Sequence, residues 1–229
     1  MRRRDLPRGL SLVLLLLAGC AADPSGLRKE AVALRAEGRI TEATAAYGRL
    51  IASLEGEDRD SRTARADALR ELGGMHASFG EPDVAERSYR KALEIAEASP
   101  RLSSASIINL HSQLAALSYR AGRNAEAVVR YETVLELERS SLGEDHPDVL
   151  STLGILSGLH MKCDRPDRAE PLLRRQLALT ERIHGPARRE SATALDRLAE
   201  ALARLGKTAE AAALRAKASE IRKKLCDEC

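Results

Sequence analysis

Residues 107–135 have the sequence IINLHSQLAALSYRAGRNAEAVVRYETVL, and this stretch decides the fold class. In its first half, Leu110, Leu114 and Leu117 recur at steps of three and four residues, which is the spacing of one face of an α-helix. Gly122 follows at a position where a helix commonly ends in the left-handed conformation. Apolar residues at helical spacing then resume after the glycine. The stretch therefore predicts a helix, a tight turn and a second helix.

The same pattern recurs with a period of 42 residues along most of the chain. A turn residue stands at every step of this grid, and an alanine follows five residues after each one. A fixed period is typical of solenoids, in which each unit buries its apolar faces against its neighbours. The turn residues are Gly38, Gly80, Gly122, Asp164 and Gly206, and the alanines are Ala43, Ala85, Ala127, Ala169 and Ala211. We expect five helix pairs, in units at about 27–60, 66–99, 108–141, 150–183 and 192–225.

The composition favours the same all-α class. Aromatic residues make up only 2% of the 229 residues, and Trp is absent. This argues against a β-sandwich or a β-barrel, because strands favour aromatic and β-branched residues. The apolar residues are mainly Leu and Ala, which are strong helix formers.

The repeated residues resemble the tetratricopeptide repeat. That pattern has a leucine and a small residue in the first helix, glycine at the turn, alanine in the second helix and tyrosine four residues later. In the second unit these residues are Leu72, Gly73, Gly80, Ala85 and Tyr89. The period of 42 and the linker LGEDHPDV at 142–149 resemble the kinesin-light-chain subclass of these repeats. The resemblance covers about residues 27–222 and implies a right-handed solenoid of about five antiparallel helix pairs.

We expect polar residues at both ends of the solenoid. Glu30 stands where the later units have a leucine, which indicates a polar, solvent-exposed outer face on the first unit. The last helix, from Lys207 to Lys224, is charged along one side and is expected to close the other end. Residues 226–229 form a C-x-x-C tail, which we interpret as unstructured, since a thioredoxin-like redox site needs a βαβ context.

The first residues have the pattern of a bacterial lipoprotein signal peptide. Four arginines precede an apolar run of about nine residues, which is too short to span a bilayer that takes about twenty. The run ends in Leu-Ala-Gly-Cys at 17–20, which resembles a lipobox. The resemblance implies that residues 1–19 are removed, that Cys20 is lipidated, and that residues 20–26 form a short tether. The alternative is an ordinary secretory signal with a chance cysteine.

This interpretation predicts a lipid-anchored protein of the bacterial cell envelope. Two or more acyl chains hold a protein firmly on a membrane, whereas one chain binds only marginally. Ala21 stands where an aspartate commonly marks retention in the inner membrane of lipoproteins. The resemblance therefore favours the periplasmic side of the outer membrane, if the host has one.

Charge and motif content exclude several function classes. Without residues 1–19 the chain has 33 basic and 33 acidic residues, and they are interleaved, so no basic face for nucleic acid is expected. No motif for a nucleophile, a phosphate loop, a zinc protease or a dinucleotide is present. We expect no enzyme activity, no cofactor, no metal site and no small-molecule substrate. His76 and His160 occupy equivalent slots, which favours packing, and Cys163 is expected to be a small buried residue.

The resemblance also implies where a partner binds. In such solenoids the first helix of each pair lines the concave face, and its solvent-facing residues contact a protein or peptide. In this chain those slots hold Asp67, Arg70, Asn109, Ser112, Tyr119, Arg120, Ser151, Lys162, Thr193, Asp196, Glu200 and Arg204. The basic stretch across Arg70, Arg120 and Lys162 predicts a partner segment that is partly acidic and has a few apolar anchors.

Two functions are compatible with these features. The first is a membrane-tethered scaffold that binds a protein or peptide. The second is a structural subunit, such as an assembly lipoprotein or a pilotin, of an envelope protein-assembly or secretion complex. The second rests on likeness of architecture alone.

Overall fold

Within the part of the chain that the structure describes, ten helices form five antiparallel pairs. The computed structural model describes residues 23–54, 56, 58–99 and 103–227, and within them every regular element is an α-helix. The helices are α1 (Pro24–Ala36), α2 (Ile40–Ser53), α3 (Arg59–Ser78), α4 (Pro82–Glu97), α5 (Ser104–Arg120), α6 (Asn124–Leu142), α7 (Pro147–Lys162), α8 (Pro166–His184), α9 (Arg189–Arg204) and α10 (Thr208–Asp227). Each pair packs on the next, and together they form a right-handed solenoid, which confirms the predicted all-α class. The signal segment and Cys20 lie outside the described residues.

The first helices begin three to seven residues before the predicted units do. The largest difference is at α3, which begins at Arg59. Its first turn is polar, so it lacks the apolar spacing from which the unit starts were taken. Asp58 supplies the missing signal, because its carboxylate accepts a hydrogen bond of 2.9 Å from the backbone N–H of Ser61 and caps the helix.

The five turns on the 42-residue grid share one backbone conformation. The four grid glycines have φ between 74° and 79°, and Asp164 has φ 55°. Aspartate is among the few residues besides glycine that adopt this left-handed conformation readily. In the third unit, the N–H of Arg123 donates to the carbonyl of Ser118 at 2.8 Å, and equivalent bonds close the other four turns. This Schellman arrangement satisfies carbonyl groups at the end of each first helix.

The grid alanines lie where the two helices of a unit cross. All five are fully buried. The second unit shows how tight the crossing is. A Cβ atom placed on Gly73 would lie 2.8 Å from the ring of Tyr89 and 3.2 Å from the carbonyl oxygen of Ala85. Only a residue without a side chain fits there while the tyrosine ring is in place.

The two longer linkers share a second glycine conformation. Gly143 and Gly185 end α6 and α8 with φ of 91° and 95°. In the first linker, His146 caps α7 by accepting a hydrogen bond of 3.2 Å from the N–H of Asp148. Glu144 in the same linker pairs with Arg139 at 2.6 Å and contacts an arginine of α8. The linker therefore braces the third unit against the fourth.

A network of ion pairs joins the second helices of neighbouring units, and it occurs twice at a spacing of 84 residues. Its members are Glu86, Arg90, Arg123 and Glu126 in the second and third units, and Glu170, Arg174, Lys207 and Glu210 in the fourth and fifth units. Glu170 is the centre of the second copy, and hydrogen bonds from Lys207 and Arg174 lower its pKa. Exposed pairs are worth about 1 kcal/mol or less each, so the network sets the register between units more than it adds stability.

The C-terminal helix extends further than the sequence suggested. Helix α10 runs to Asp227 and includes Cys226, whose side chain is exposed, so this cysteine belongs to the helix and not to an unstructured tail. The charged residues of α10 face solvent, while Ala211, Ala218 and Ile221 are buried against the fifth unit, as expected of a closing helix. None of the described helices combines the length and apolar character needed to cross a membrane.

Candidate functional site

The first helices line a groove that contains three neighbouring depressions. We call this surface the first-helix groove, and it is formed by α3, α5, α7 and α9 with contributions from their partner helices. The depressions have cavity volumes of about 350, 600 and 360 Å³ in order along the solenoid. Each extends over at least two units. A ligand that filled all three would therefore have to be extended.

The central depression is mainly apolar, and we call it the apolar depression. Leu150, Ile155 and Leu159 of α7 line it together with Tyr119 of α5 and Tyr131 of α6. Its remaining lining residues are Ser151, Gly154, Gly158, Lys162, Gln176 and Arg197. Ile155 is 43% exposed, although isoleucine is usually buried. This depression can hold an apolar side chain with positive charge at its rim.

The first depression is polar, and we call it the basic depression. It brings together Arg35 of α1, Arg70 of α3 and Arg120 of α5. Glu71 is its only acidic lining residue among those described, and that carboxylate already pairs with Arg28 at 3.0 Å. Its remaining lining residues are Asn109, Gln113, Tyr89, Gly74, Ala77 and Ser78. The surplus of guanidinium groups suits a carboxylate ligand, because arginine binds carboxylates through two parallel hydrogen bonds.

Tyr119 and Lys162 connect neighbouring units across the groove. The ammonium of Lys162 donates a hydrogen bond to the hydroxyl of Tyr119 and lies 4.5 Å from the centre of its ring. The pair holds the lysine charge at the edge of the apolar depression. Since Tyr119 is followed directly by Arg120, the apolar and basic depressions adjoin at this point.

The buried tyrosines of the groove remain protonated at neutral pH. Burial raises the pKa of Tyr131 and of Tyr89 above the ordinary value of 10.0. The positive charge of Arg120 opposes this rise at both rings. Both hydroxyl groups are therefore neutral, and that of Tyr89 donates a hydrogen bond to Gln113 within the groove.

Seven of the twelve predicted groove residues line the depressions. They are Arg70, Asn109, Tyr119, Arg120, Ser151, Lys162 and Thr193. The other five, which do not line them, are Asp67, Ser112, Asp196, Glu200 and Arg204. Asp196 pairs with Arg222 of α10, and Glu200 pairs with Arg204 at 2.9 Å. Both acidic residues of α9 among the twelve are thus held in ion pairs, and the role of all twelve residues in binding stays a prediction.

Of the residues that line the apolar depression, sequence analysis found Tyr119, Ser151 and Lys162 but missed the apolar ones. Slots that hold Ser112-Gln113 in the third unit and Asp196-Arg197 in the fifth hold Gly154-Ile155 in the fourth. This exchange was visible as a loss of polar side chains, but its effect depends on how neighbouring units stack. Gln176 could not be found in this way, because it comes from a second helix.

The buried histidines serve packing. His76 is 4% exposed and its imidazole nitrogens contact Glu81 and Thr44, while His160 is 7% exposed. Burial lowers the pKa of His160, so its imidazole is neutral at pH 7. Cys163 is half-buried at the end of α7, so the expectation of full burial was wrong, because a C-terminal cap residue is only partly covered. Among the described residues, no three His, Cys, Asp or Glu side chains converge as metal ligands.

Comparison with known families matches the chain to the tetratricopeptide repeat. One family model with that description matches residues 151–224, and a second matches residues 65–99 and 112–148. Together these matches cover more than half of the chain. A search of curated proteins found no match.

Solved structures with the same fold include two that are related to kinesin light chains. A putative kinesin light chain from Podosopora anserina with nearly identical TPR-like repeats has a TM-score of 0.68 and 22% identity, over 89% of this chain and 98% of that chain. BtubC (BKLC) from P. vanneervenii has a TM-score of 0.66 and 22% identity, over 90% and 82%. MamA has a TM-score of 0.57 and 16% identity, over 86% and 96%. At these identities the likeness shows the fold alone.

Proposed function

Because the chain belongs to the tetratricopeptide-repeat family, whose fold indicates protein or peptide partners, we propose that it is a lipid-anchored scaffold of the bacterial cell envelope. Its ligand is an extended segment of a partner protein. The first-helix groove holds this segment, and the protein has no catalytic role in the complex.

The observation that supports this proposal most is the junction of the basic and apolar depressions. Arg120 and Tyr119 are neighbours in the sequence, yet they line different depressions. A segment that crosses this point meets arginines on one side and an apolar surface on the other. The complementary ligand is a peptide with carboxylates a few residues away from a large apolar side chain.

The charged side chains at the rim orient the ligand in the groove and also raise its affinity. Arg197 of α9 lies on one side of the apolar depression, and Lys162, which contacts Tyr119 of α5, lies on the side of the basic depression with its three arginines. An acidic ligand is steered toward both ends, because charge complementarity chiefly raises association rates and excludes like-charged competitors.

The anchor rests on the first twenty residues. Lipidation at Cys20 followed by a short tether would keep the solenoid close to a membrane, on the periplasmic side of the outer membrane if the host has one. A Cys20→Ser variant lacks the thiol that accepts the lipid. We expect it to accumulate as an unprocessed precursor of higher mass. A mature, fatty-acylated band from this variant would refute the lipoprotein assignment.

Photo-crosslinking in intact cells tests the groove. A benzophenone amino acid in place of Ile155 places the reactive group in the apolar depression, and the same group in place of Val129 is the control. Val129 is 62% exposed on a second helix and does not line the groove. We expect a discrete cross-linked partner from position 155 alone. The same partner from both positions, or none from 155, would refute binding in the groove.

Charge reversal tests the chemistry of the ligand. Arg120→Glu with Lys162→Glu should reduce the yield of the cross-link, whereas Arg87→Glu with Lys91→Glu makes the same charge change on the exposed part of α4. Equal yields from the two double variants would show that the partner is not recognised through the basic residues of the groove.

A larger side chain in the apolar depression should lower partner binding without lowering the stability of the fold. Gly158 lines this depression. A Cβ atom placed on Gly158 would have no heavy atom within 4 Å, apart from its two chain neighbours and the backbone of its own helix. Gly158→Gln should therefore preserve or raise the thermal stability, because glycine is the poorer helix former by up to about 1 kcal/mol. It should also lower partner capture. Undiminished capture would show that the depression stays empty in the complex.

A further inference from the structure

One more depression, on helix α1, extends the first-helix groove into the first unit. We call it the α1 depression, and it has a cavity volume of about 670 Å³. Most of its lining is apolar, and none of the described residues that line it is acidic. The apolar part comes from Val32, Ala33 and Ala36 of α1 and from Leu50 and Leu54 at the end of α2.

The α1 depression repeats the apolar depression at the other end of the groove. The seven residues of α1 that line it fall, three periods of 42 residues later, on the seven residues of α7 that line the apolar depression. On the second helices, Leu50 corresponds in the same way to Gln176. Both depressions expose a large aliphatic side chain, since Val32 is 41% exposed and Ile155 is 43% exposed. The concave face therefore offers an apolar surface twice, in the first and fourth units.

The equivalent positions of the second and third units are polar. They hold Arg70 and Ser78 in the second unit and Asn109, Gln113 and Arg120 in the third, and all five line the basic depression. The basic depression thus lies between two apolar ones. A ligand that follows the groove meets an apolar surface, then arginines, then a second apolar surface.

The α1 depression and the basic depression adjoin on α1. Arg35 lines the basic depression and Ala36, the next residue, lines the α1 depression. Tyr119 and Arg120 divide the other two depressions in the same way. Arg28 adds little free charge to the α1 depression, because its guanidinium already pairs with Glu71 at 3.0 Å. The polar outer face expected of the first unit is present outside this lining, at Glu30, which pairs with Arg49 at 2.7 Å.

The spacing of the first helices sets the distance between the two apolar depressions. Neighbouring first helices touch through their side chains, as in the pair of Arg28 with Glu71 and the pair of Tyr119 with Lys162. Adjacent helices lie about 8–10 Å apart, so the three steps from α1 to α7 span about 24–30 Å. An extended chain advances about 3.3 Å per residue and covers this distance in about seven to nine residues.

We propose that the partner segment carries two large apolar side chains about seven to nine residues apart, one for each apolar depression, with acidic residues between them that face the basic depression. This inference rests on the proposed function and names the pattern of the ligand that the groove binds. A peptide fits this pattern because a single extended chain can present both anchors and the charges between them. Loss of one anchor should weaken binding about tenfold or more, since burial of one large apolar side chain contributes about that factor.

Photo-crosslinking from both depressions tests the pattern. A benzophenone amino acid replaces Val32 in the full-length protein in intact cells, and the product is compared with that from position 155 and from the control position 129. Ala36 is the second reporter position if the variant at Val32 does not fold. Mass spectrometry then locates the attachment points on the partner. We expect one partner from positions 32 and 155, with attachment points about seven to nine residues apart in one segment and acidic residues between them.

The other outcomes separate this inference from the proposed function. A cross-link from position 155 alone overturns the two-anchor pattern and leaves binding in the groove in place. Different partners from the two positions, or attachment points in separate segments of one partner, also overturn it, because the depressions would then bind separate ligands. No cross-link from either position overturns the proposed function together with the two-anchor pattern.

A polar side chain placed in the α1 depression gives a second measurement. Ala33→Gln fills the depression, and Ala45→Gln makes the same exchange at an exposed alanine of α2 that lines none of the four depressions. The melting temperatures of the two variants should be equal. Ala33→Gln should lower the yield of the cross-link from position 155 by up to about tenfold, because it removes one of the two anchors from the same segment. Equal yields from the two variants would overturn the two-anchor pattern.

Discussion

The crossing of α3 and α4 offers a test of how tightly the helix pairs are packed. Two adjacent glycines of α3, Gly73 and Gly74, can each be replaced by alanine, so the chemical change and the helix are the same. A Cβ atom on Gly73 would lie 2.8 Å from two ring carbons of Tyr89 and 3.2 Å from the carbonyl oxygen of Ala85. On Gly74 it would meet only the hydroxyl of Tyr89, at an ordinary 3.5 Å.

The magnitudes follow from two opposing effects. Alanine is a better helix former than glycine by about 0.8–1.0 kcal/mol, and both substitutions gain this. Gly73→Ala also overpacks the crossing, which typically costs about 1–3 kcal/mol. Tyr89 is 2% exposed and the Ala85 carbonyl belongs to a helix, so neither can move away easily. We expect Gly74→Ala to be more stable than the parent by up to about 1 kcal/mol, and Gly73→Ala to be about 1–3 kcal/mol less stable than Gly74→Ala.

Urea unfolding followed by circular dichroism at 222 nm measures the difference. A third variant, Gly73→Ala with Tyr89→Leu, checks the cause, because the fourth unit has Leu173 at the tyrosine slot and Ser157 at the glycine slot. The added methyl group should cost less in the Tyr89→Leu background than in the parent. If Gly73→Ala is as stable as Gly74→Ala, the close-contact argument is wrong for this crossing, and the alanine grid must have another cause.

Three further substitutions test the core and its titrating groups. Burial raises the pKa of Glu138, and one of its carboxylate oxygens has no hydrogen-bond partner, so its negative charge destabilises the fold at pH 7.5. Glu138→Gln should therefore raise the melting temperature at pH 7.5 and raise it by less at pH 4, where the carboxyl group of the parent takes up a proton. An equal gain at both pH values would contradict this explanation. Burial lowers the pKa of His160 below 6.5, so its stabilising contribution is present above that pH and is lost as the pH falls. Between pH 7.5 and 5.5, His160→Asn should therefore lose less stability than the parent does. Some loss remains in the variant, because burial also lowers the pKa of His111, which still titrates. Ala127→Leu places a large side chain at a fully buried helix crossing and should lower the free energy of unfolding in urea by about 1–3 kcal/mol. An unchanged urea midpoint would show that the crossing is less tightly packed than the structure indicates.

The sequence predicts the solenoid well because its periodic positions tolerate few residue types. A turn with positive φ requires glycine or a rare substitute such as Asp164, and this requirement appears at every step of the period. A close crossing requires alanine at positions such as Ala169, which is fully buried. Both constraints act within one unit, so a single chain segment carries the whole signal.

The groove and the ion-pair network could not be predicted in the same way, because they arise between units. Gln176 and Arg197 line the apolar depression from helices α8 and α9, and their approach to α7 depends on the stacking angle. The ion pair between Glu170 and Lys207 joins residues 37 positions apart, and its signal is a spacing of 84 and not of 42. A search for the repeat period alone passes over a feature that recurs only in every second unit.

The apolar depression lies at one of the two unit junctions that lack this ion-pair network; the other is the junction of the first and second units. Between the third and fourth units, the slots of Glu86 and Arg123 hold Val128 and Arg165, so the central pair of the network cannot form. Glu144 of the linker spans the same junction, because it pairs with Arg139 of α6 and contacts Arg175 of α8. The structural contacts of this junction are thus concentrated at the linker and in the core. Of the side chains that face the groove at this junction, Tyr119 and Lys162 join the two units, whereas Gly154 and Gly158 leave the depression open.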